Sequence, residues 1–218
     1  LSLLPPNAPF FRLVLDEKAK VDLERVDPNI KNEIDKSMAE IERSVMREVE
    51  VSGVRTTLFS AIKHLIVSGN VLIHVPDEGK IKAFPMDRYV ISRDPSGNVR
   101  KIIIKESITP DALPGELKGM VSSDNMSSDK TVDLYTCVHT RPDGKVHVYQ
   151  EVQGQIIPGT TSVYDEDSSP FIALRMLQVD GEDWGRGYVE QYMGDLKSLE
   201  ALSQAIVEGS AAAAKVLF

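Results

Sequence analysis

Gly181-Glu-Asp-Trp-Gly-Arg-Gly187, followed by the proline-free run from Tyr188 to Phe218, is the segment around which the rest of the chain is read. A glycine-rich turn encloses the only tryptophan and opens into the most regular stretch of the sequence. Tyr192, Leu196, Leu199, Leu202 and Ile206 follow one another at steps of four, three, three and four, and Ala213 continues the stripe. That spacing puts them on one side of a helix. Glu190, Asp195, Lys197, Glu200 and Glu208 mostly avoid the stripe. At Gly209-Ser-Ala-Ala-Ala-Ala214 the side chains shrink, which permits close helix approach at little cost in helix propensity. A helix of this kind suits a crowded bundle. One chain supplies only one, so its neighbours are expected from other subunits.

Upstream of the glycine turn the hydrophobic period changes to two. Phe171–Val179 reads as a strand, and 160–169 as a polar loop. Val132–Thr140 and Lys145–Val152 read as a hairpin over Arg141-Pro-Asp-Gly144, with a short extension at 155–157. Residues 112–120 are expected to hold a short helix and 122–130 a loop. Tyr89–Ser92 and Val99–Lys105 flank the turn Asp94-Pro-Ser-Gly97, and Val71–Val75 and Lys80–Phe84 flank Asp77-Glu-Gly79. Before these strands come two helices. The first starts at Asp27-Pro28 and runs to about 49 with Ile30, Ile34, Met38, Ile41, Val45 and Val49 on one face. The second begins at Val54 and stops at Gly69, and being the more apolar is expected to be the buried one. A short strand at Phe10–Leu15 and a helical turn or two in 16–26 complete the reading. Helices packed on an antiparallel β-rich unit and ending in one long helix make an α+β fold. The expected organisation is an N-terminal arm and amphipathic helix over 1–51, an α+β domain over 52–182, and the long helix over 183–218.

The chain has 218 residues, 42% of them hydrophobic, enough for one large domain or a domain with an appendage. Its formal charge of −8 gives no global attraction to nucleic acid or to a membrane surface, though it is compatible with a protein that encloses DNA without gripping it. Cys137 is the single cysteine, so no intramolecular disulfide framework exists and a reducing compartment is favoured. No apolar run is long enough to span a bilayer, and Leu1-Ser-Leu-Leu4 lacks the features of a signal peptide. The absence of an initiating methionine and the apolar end at Phe218 read as an interior piece of a longer protein.

A search for chemistry returns little. Cys137 and His139 stand two apart on one strand and share a face, but they read as a small packed cysteine beside a rim histidine rather than as a catalytic pair. His139 and His147 face each other across the hairpin, yet two histidines are too few for a closed zinc site. His64 and His74 read as locally satisfied polar groups. Asp165-Glu-Asp167 lacks the alternating ligands and glycine of a calcium loop. Gly181, Gly185 and Gly187 precede a helix, but no P-loop lysine accompanies them, and Glu182 and Asp183 would repel phosphate. They read instead as a tight strand-to-helix turn that Trp184 plugs against the sheet. No catalytic residue, metal ligand or cofactor is assigned, and the residues alone describe a non-catalytic scaffold that presents a long helix. Two other readings stand beside it: a cytosolic α+β hydrolase using carboxylates from 165–183, and a generic interaction module whose 189–213 stripe binds a partner helix.

Several segments in order resemble one family. Gly181-Glu-Asp-Trp-Gly-Arg-Gly-Tyr-Val-Glu-Gln-Tyr-Met-Gly-Asp-Leu-Lys-Ser-Leu-Glu-Ala-Leu202 is similar to the segment entering the stem helix of the portal, or head-to-tail connector, proteins of short-tailed phages. Leu58 to Leu72, Tyr89 to Asp94 with Gly97-Asn-Val99, Val132 to Tyr135, and Pro170 to Met176 fit the same family, so the resemblance spans roughly 50–218. It implies a structural, non-enzymatic subunit of a homo-oligomeric ring, usually a dodecamer, at the unique capsid vertex of the virion, assembled in the host cytoplasm. Double-stranded DNA would pass through that ring during packaging and ejection. Terminase, scaffolding and capsid proteins and the tail adaptor would be its protein partners, with no membrane involved. The chain would hold the wing and the first stem helix and end before the clip. On that reading Leu196, Leu199, Leu202, Ile206, Ala212 and Ala213 pack the stem against neighbouring subunits. Glu190, Glu200 and Glu208 give the channel wall an acidic character, with Lys197 and Lys215 as occasional contacts. Gly181, Trp184, Gly185 and Gly187 form a hinge between wing and stem.

Overall fold

Sequence periodicity is realised as two helices, a set of antiparallel strands and a terminal helix, in that order, in a computed structural model that describes residues 4–5, 9–16, 30–109 and 131–216. The fold is α+β. The described residues divide into two compact units, one of 1–60 with 78–81 and one of 61–77 with 82–218.

In the first unit, helix α1 spans Ile30–Val51 and helix α2, Val54–Ser68, begins. Gly53, at φ +72°, separates the two helices. The expected helix start at 27–28 lies outside the described residues, as does most of the turn expected at 16–26. Residues 10–15 enter no sheet, contrary to the strand expected there. They lie instead along α1, where the Leu13 N–H donates to Glu42 Oε1 at 2.6 Å. Arg55 anchors the arm further by donating to the Pro5 carbonyl (2.7 Å) and sitting 5.8 Å from the centre of the Phe10 ring.

The second unit is a two-layer β structure. A three-stranded sheet has the order β2-β1-β9, with β1 Asn70–His74, β2 Lys82–Phe84 and β9 Phe171–Arg175. A larger sheet runs β3 (Tyr89–Arg93), β4 (Val99–Ile108), β5 (Val132–Thr140), β6 (Lys145–Val152), β7 (Gln155–Ile156), and β8 (Ser162–Asp165) also pairs with β6. All pairings are antiparallel. Alternation decides which residues meet between the layers. Leu72 and Phe84 of the small sheet join Tyr89, Ile91, Ile102, Ile104, Val138, Val146 and Val148 of the large one in a single buried cluster, with Phe171, Ala173 and Trp184 packed against it. Val132, Val152 and Ile157 form a smaller cluster at the far end of the hairpin.

Four expectations need correction. The polar loop at 160–169 contains β8 and a 3₁₀ turn, Glu166–Ser168, because the open side of β6 supplies a hydrogen-bonding partner that composition does not reveal. Helix α2 is not a core helix: only Ala61 is buried, and Phe59, Ile66 and Val67 are exposed. The last strand stops at Arg175, four residues early, and the long terminal helix is broken at Tyr192 (φ −107°, ψ 18°) into α3, Tyr188–Gln191, and α4, Met193–Val216. The short helix and loop expected at 112–120 and 122–130 lie outside the described residues.

Candidate functional site: a clamped junction and an uncovered helix

The glycine turn is held in the second unit by contacts that leave little freedom. After β9 the chain makes one antiparallel bridge to the residues before α3: the Leu177 N–H donates to the Arg186 carbonyl (3.2 Å) and the Arg186 N–H to the Leu177 carbonyl (2.9 Å). Asn70, at the start of β1, is buried and reads the turn in both directions. Its Nδ2 donates to the Gly185 carbonyl at 2.6 Å, and its Oδ1 accepts from the Gly185 N–H at 2.7 Å. The Met176 N–H donates to the Gly69 carbonyl at 2.9 Å. Gly69 sits at φ +78°, and a Cβ there would fall 2.2 Å from the Arg186 carbonyl carbon. A Cβ on Gly187 would fall 2.3 Å from the Val67 carbonyl oxygen, and one on Gly185 would be 2.8 Å from Arg175 Cβ. Glycine is therefore required at 69, 185 and 187 by close backbone approach. Gly181 differs: it is at φ +74°, with open space around it.

Arg93 closes the turn from the other side. Its main-chain N–H donates to Asp183 Oδ1 (2.6 Å), and its guanidinium donates to the carbonyls of Asp183, Gly97 and Ala173. Trp184 stands 5.3 Å from the Tyr89 ring, ring centre to ring centre, and plugs the core cluster as its sequence context predicts. Burial pushes the Tyr89 phenol up to about 12, while the Arg93 guanidinium beside it acts in the opposite sense.

Beside this turn lies a cleft of about 530 Å³ lined by Arg93, Asp94, Arg175, Glu182 and Asp183 among others. Its cations are spent on main-chain carbonyls, Arg175 Nη1 donating to that of Glu182 at 2.8 Å. Asp94 is held below the usual carboxylate range by hydrogen bonds from Asn98, the opposite of what a general acid requires. The carboxylate hydrolase reading therefore gains no support here. Cys137 is buried, and burial pushes its thiol up, away from a reactive thiolate. His139 and His147 are direct cross-strand partners, as expected, but no group of three metal-holding side chains occurs among the described residues.

Beyond the junction the character changes. Every described residue from Gln191 to Ala214 is exposed, the apolar ones included: Leu199 at 63%, Leu202 at 62%, Ile206 at 63%. Leu196, Ala212 and Ala213 are exposed with them. On the same helix Lys197 and Glu200 are exposed, and Glu208 accepts from Gln204 at 2.8 Å. Glu190, in α3, lies 3.7 Å from Arg186 Nε. Lys215 falls in the last turn of α4, beyond the described side chains. Mean apolar character is too low for this helix to be a membrane span: none among the described residues is long and apolar enough to cross a bilayer.

An arrangement that fixes the root of a helix and leaves its apolar stripe uncovered is one for presenting that helix. Comparison with known proteins gives it a family. The model for bacteriophage head to tail connecting proteins matches residues 1–218. The chain belongs to that family. It is 36% identical over 226 aligned residues to the portal protein of Escherichia phage T7, an alignment that covers 100% of this chain and 42% of the relative. With the portal protein of Enterobacteria phage T3 it shares 38% over 198 residues, covering 88% of this chain and 37% of the relative. With that of Enterobacteria phage SP6 it shares 31% over 225 residues, covering 99% and 42%. The chain thus spans less than half the length of these connector-family relatives. Asn70 and Arg93, which fasten the helix root, were not found by sequence reasoning. The only local signal was the Gly69-Asn70 helix stop.

Proposed function

We propose that this chain is the wing and first stem helix of a portal subunit, a structural, non-enzymatic component of the virion at the capsid vertex. In this reading 1–51 and 52–182 make up the wing and 183–218 starts the stem. Copies of the complete protein assemble into a ring, with twelve subunits expected, through which double-stranded DNA enters and leaves. Terminase, scaffolding and capsid proteins and the tail adaptor are its partners. The observation that carries the proposal is the exposed α4 stripe on a fixed root. Covering Leu196, Leu199, Leu202, Ile206 and Val207 is worth about 6 kcal/mol per helix, at about 2 kcal/mol for each side chain's worth of exposed surface, enough to drive association once several copies meet. Ala212 and Ala213 form the tightest part of that packing. Glu190, Glu200 and Glu208 keep the channel wall from gripping phosphate, with Lys197 and Lys215 as weak contacts. Gly181 is the pivot of the wing–stem junction, whereas Trp184, Gly185 and Gly187 set its close packing.

Native mass spectrometry of the complete protein tests the reading. Ala212→Leu and Ala213→Leu should lower ring yield sharply while the melting temperature of the unassembled chain stays at the wild-type value. Equal losses in both would show that the alanines serve the fold of the single chain rather than assembly.

A further inference from the structure

The face of the large sheet that points away from the core carries a groove of about 420 Å³, lined by Lys101, Cys137, His139, Arg141, His147 and Tyr149 together with two neighbours. Strand register places Lys101, His139 and His147 in one row across β4, β5 and β6. No carboxylate lines the groove. Elsewhere on the sheet, lysines are neutralised: Lys105 by Asp133 at 2.8 Å and Lys145 by Asp165. Lys101, His139, Arg141 and His147 make no ion pair among the described residues. In a chain of net charge −8, a groove in which Lys101 and Arg141 have no ion-pair partner among the described residues is a local exception that an anionic occupant would satisfy.

We propose that the groove docks the acidic turn of a second copy of this chain. β8 pairs with β6, with Val163 opposite His147, and ends in the 3₁₀ turn Glu166–Ser168. Glu166 and Asp167 are exposed there and make no ion pair among the described residues, whereas Asp165 is committed to Lys145. The groove lies on a sheet face and the turn lies at a sheet edge. A contact between two different surfaces is heterologous, and repetition by rotation closes it into a ring. Duplex DNA fits the groove less well, because its continuous line of phosphates would also meet the acidic remainder of the surface. The inference rests on the oligomeric reading above, but concerns a contact that the stem helix does not make.

Light and heavy-isotope forms of the 218-residue chain are mixed, treated with a zero-length carbodiimide, and mapped by mass spectrometry. The expected products join Lys101 of a light chain to Glu166 or Asp167 of a heavy one, and the reverse. Arg141→Glu, which leaves the Lys101 reporter in place, should cut their yield about tenfold. Mixing Arg141→Glu chains with Asp167→Arg chains should restore the Lys101–Glu166 product. If these products are absent, or join only residues of the same isotope form, the docking is overturned, even if native mass spectrometry shows a ring. If mixed products form and native mass spectrometry of the complete protein shows no ring, the docking stands and the ring reading fails.

Discussion

Gly187→Ala is the substitution that most directly probes the clamped root of the terminal helix. The added Cβ would sit 2.3 Å from the Val67 carbonyl oxygen, 2.6 Å from the Gly69 nitrogen and 2.7 Å from the Val67 carbonyl carbon, all main-chain atoms. None can rotate away. Ordinary contact begins near 3.4 Å, so the end of α2 and the start of α3 must part by roughly an ångström. Overpacking of this kind costs about 1–3 kcal/mol. The same displacement stretches the two Asn70 bonds to Gly185 and the Met176 bond to Gly69, and buried groups left unpaired add about 1–2 kcal/mol. The expected loss is about 2–5 kcal/mol, or about 10 °C in melting temperature for a chain of this size. Urea unfolding measures it, followed by far-ultraviolet circular dichroism and by fluorescence of Trp184, the one tryptophan, which reports on the junction itself. Gly209→Ala is the control. It lies in α4 with nothing within 4 Å of the added Cβ, and its effect should lie between zero and a gain of about 1 kcal/mol. A Gly187→Ala chain within about 0.5 kcal/mol of wild type, with unchanged tryptophan emission, would refute the packing argument.

Asn70→Ala removes both partners of Gly185 from a buried site and should cost about 3 kcal/mol, with amide exchange at Gly185 accelerating before that of the β5–β6 ladder; uniform acceleration would mean the bond is not local to the junction. Tyr89 is neutral in the fold up to about 12, against an ordinary value near 10. The stability it contributes is therefore complete below pH 10 and is lost as pH rises from there towards about 12, a window that a Tyr89→Phe chain should lack in alkaline melting curves. The Cys137 thiol, pushed up by burial, should react with iodoacetamide at least about a hundredfold more slowly in the folded chain than in urea. Equal rates would place it at the surface.

The sequence by itself determined whatever depends on near neighbours. Turn residues at Asp94-Pro-Ser-Gly97 and Arg141-Pro-Asp-Gly144 fixed two hairpins, because a four-residue turn is closed by its own hydrogen bonds, as in the Gly97 N–H to Asp94 carbonyl bond at 2.8 Å. The stripe from Leu196 to Ile206 was equally legible, since helical periodicity is local and its residues stay exposed among the described residues. Segments that take their order from a distant partner were not legible. β8 looked like a polar loop until β6 offered it an open edge. The last strand was ended at Arg175 by the Gly69 and Arg186 contacts rather than by any residue beside it. Burial of α2 was overestimated because an apolar sequence records only what a helix can bury, not what is near it. The junction is the clearest case. Gly185 and Gly187 were rightly taken as a tight turn, but a main reason they must be glycine is the backbone at Val67 and Gly69, more than a hundred residues earlier. Sequence specified a helix with an uncovered apolar face; only the pairing of β1 with β9 decided where that helix is rooted and how rigidly.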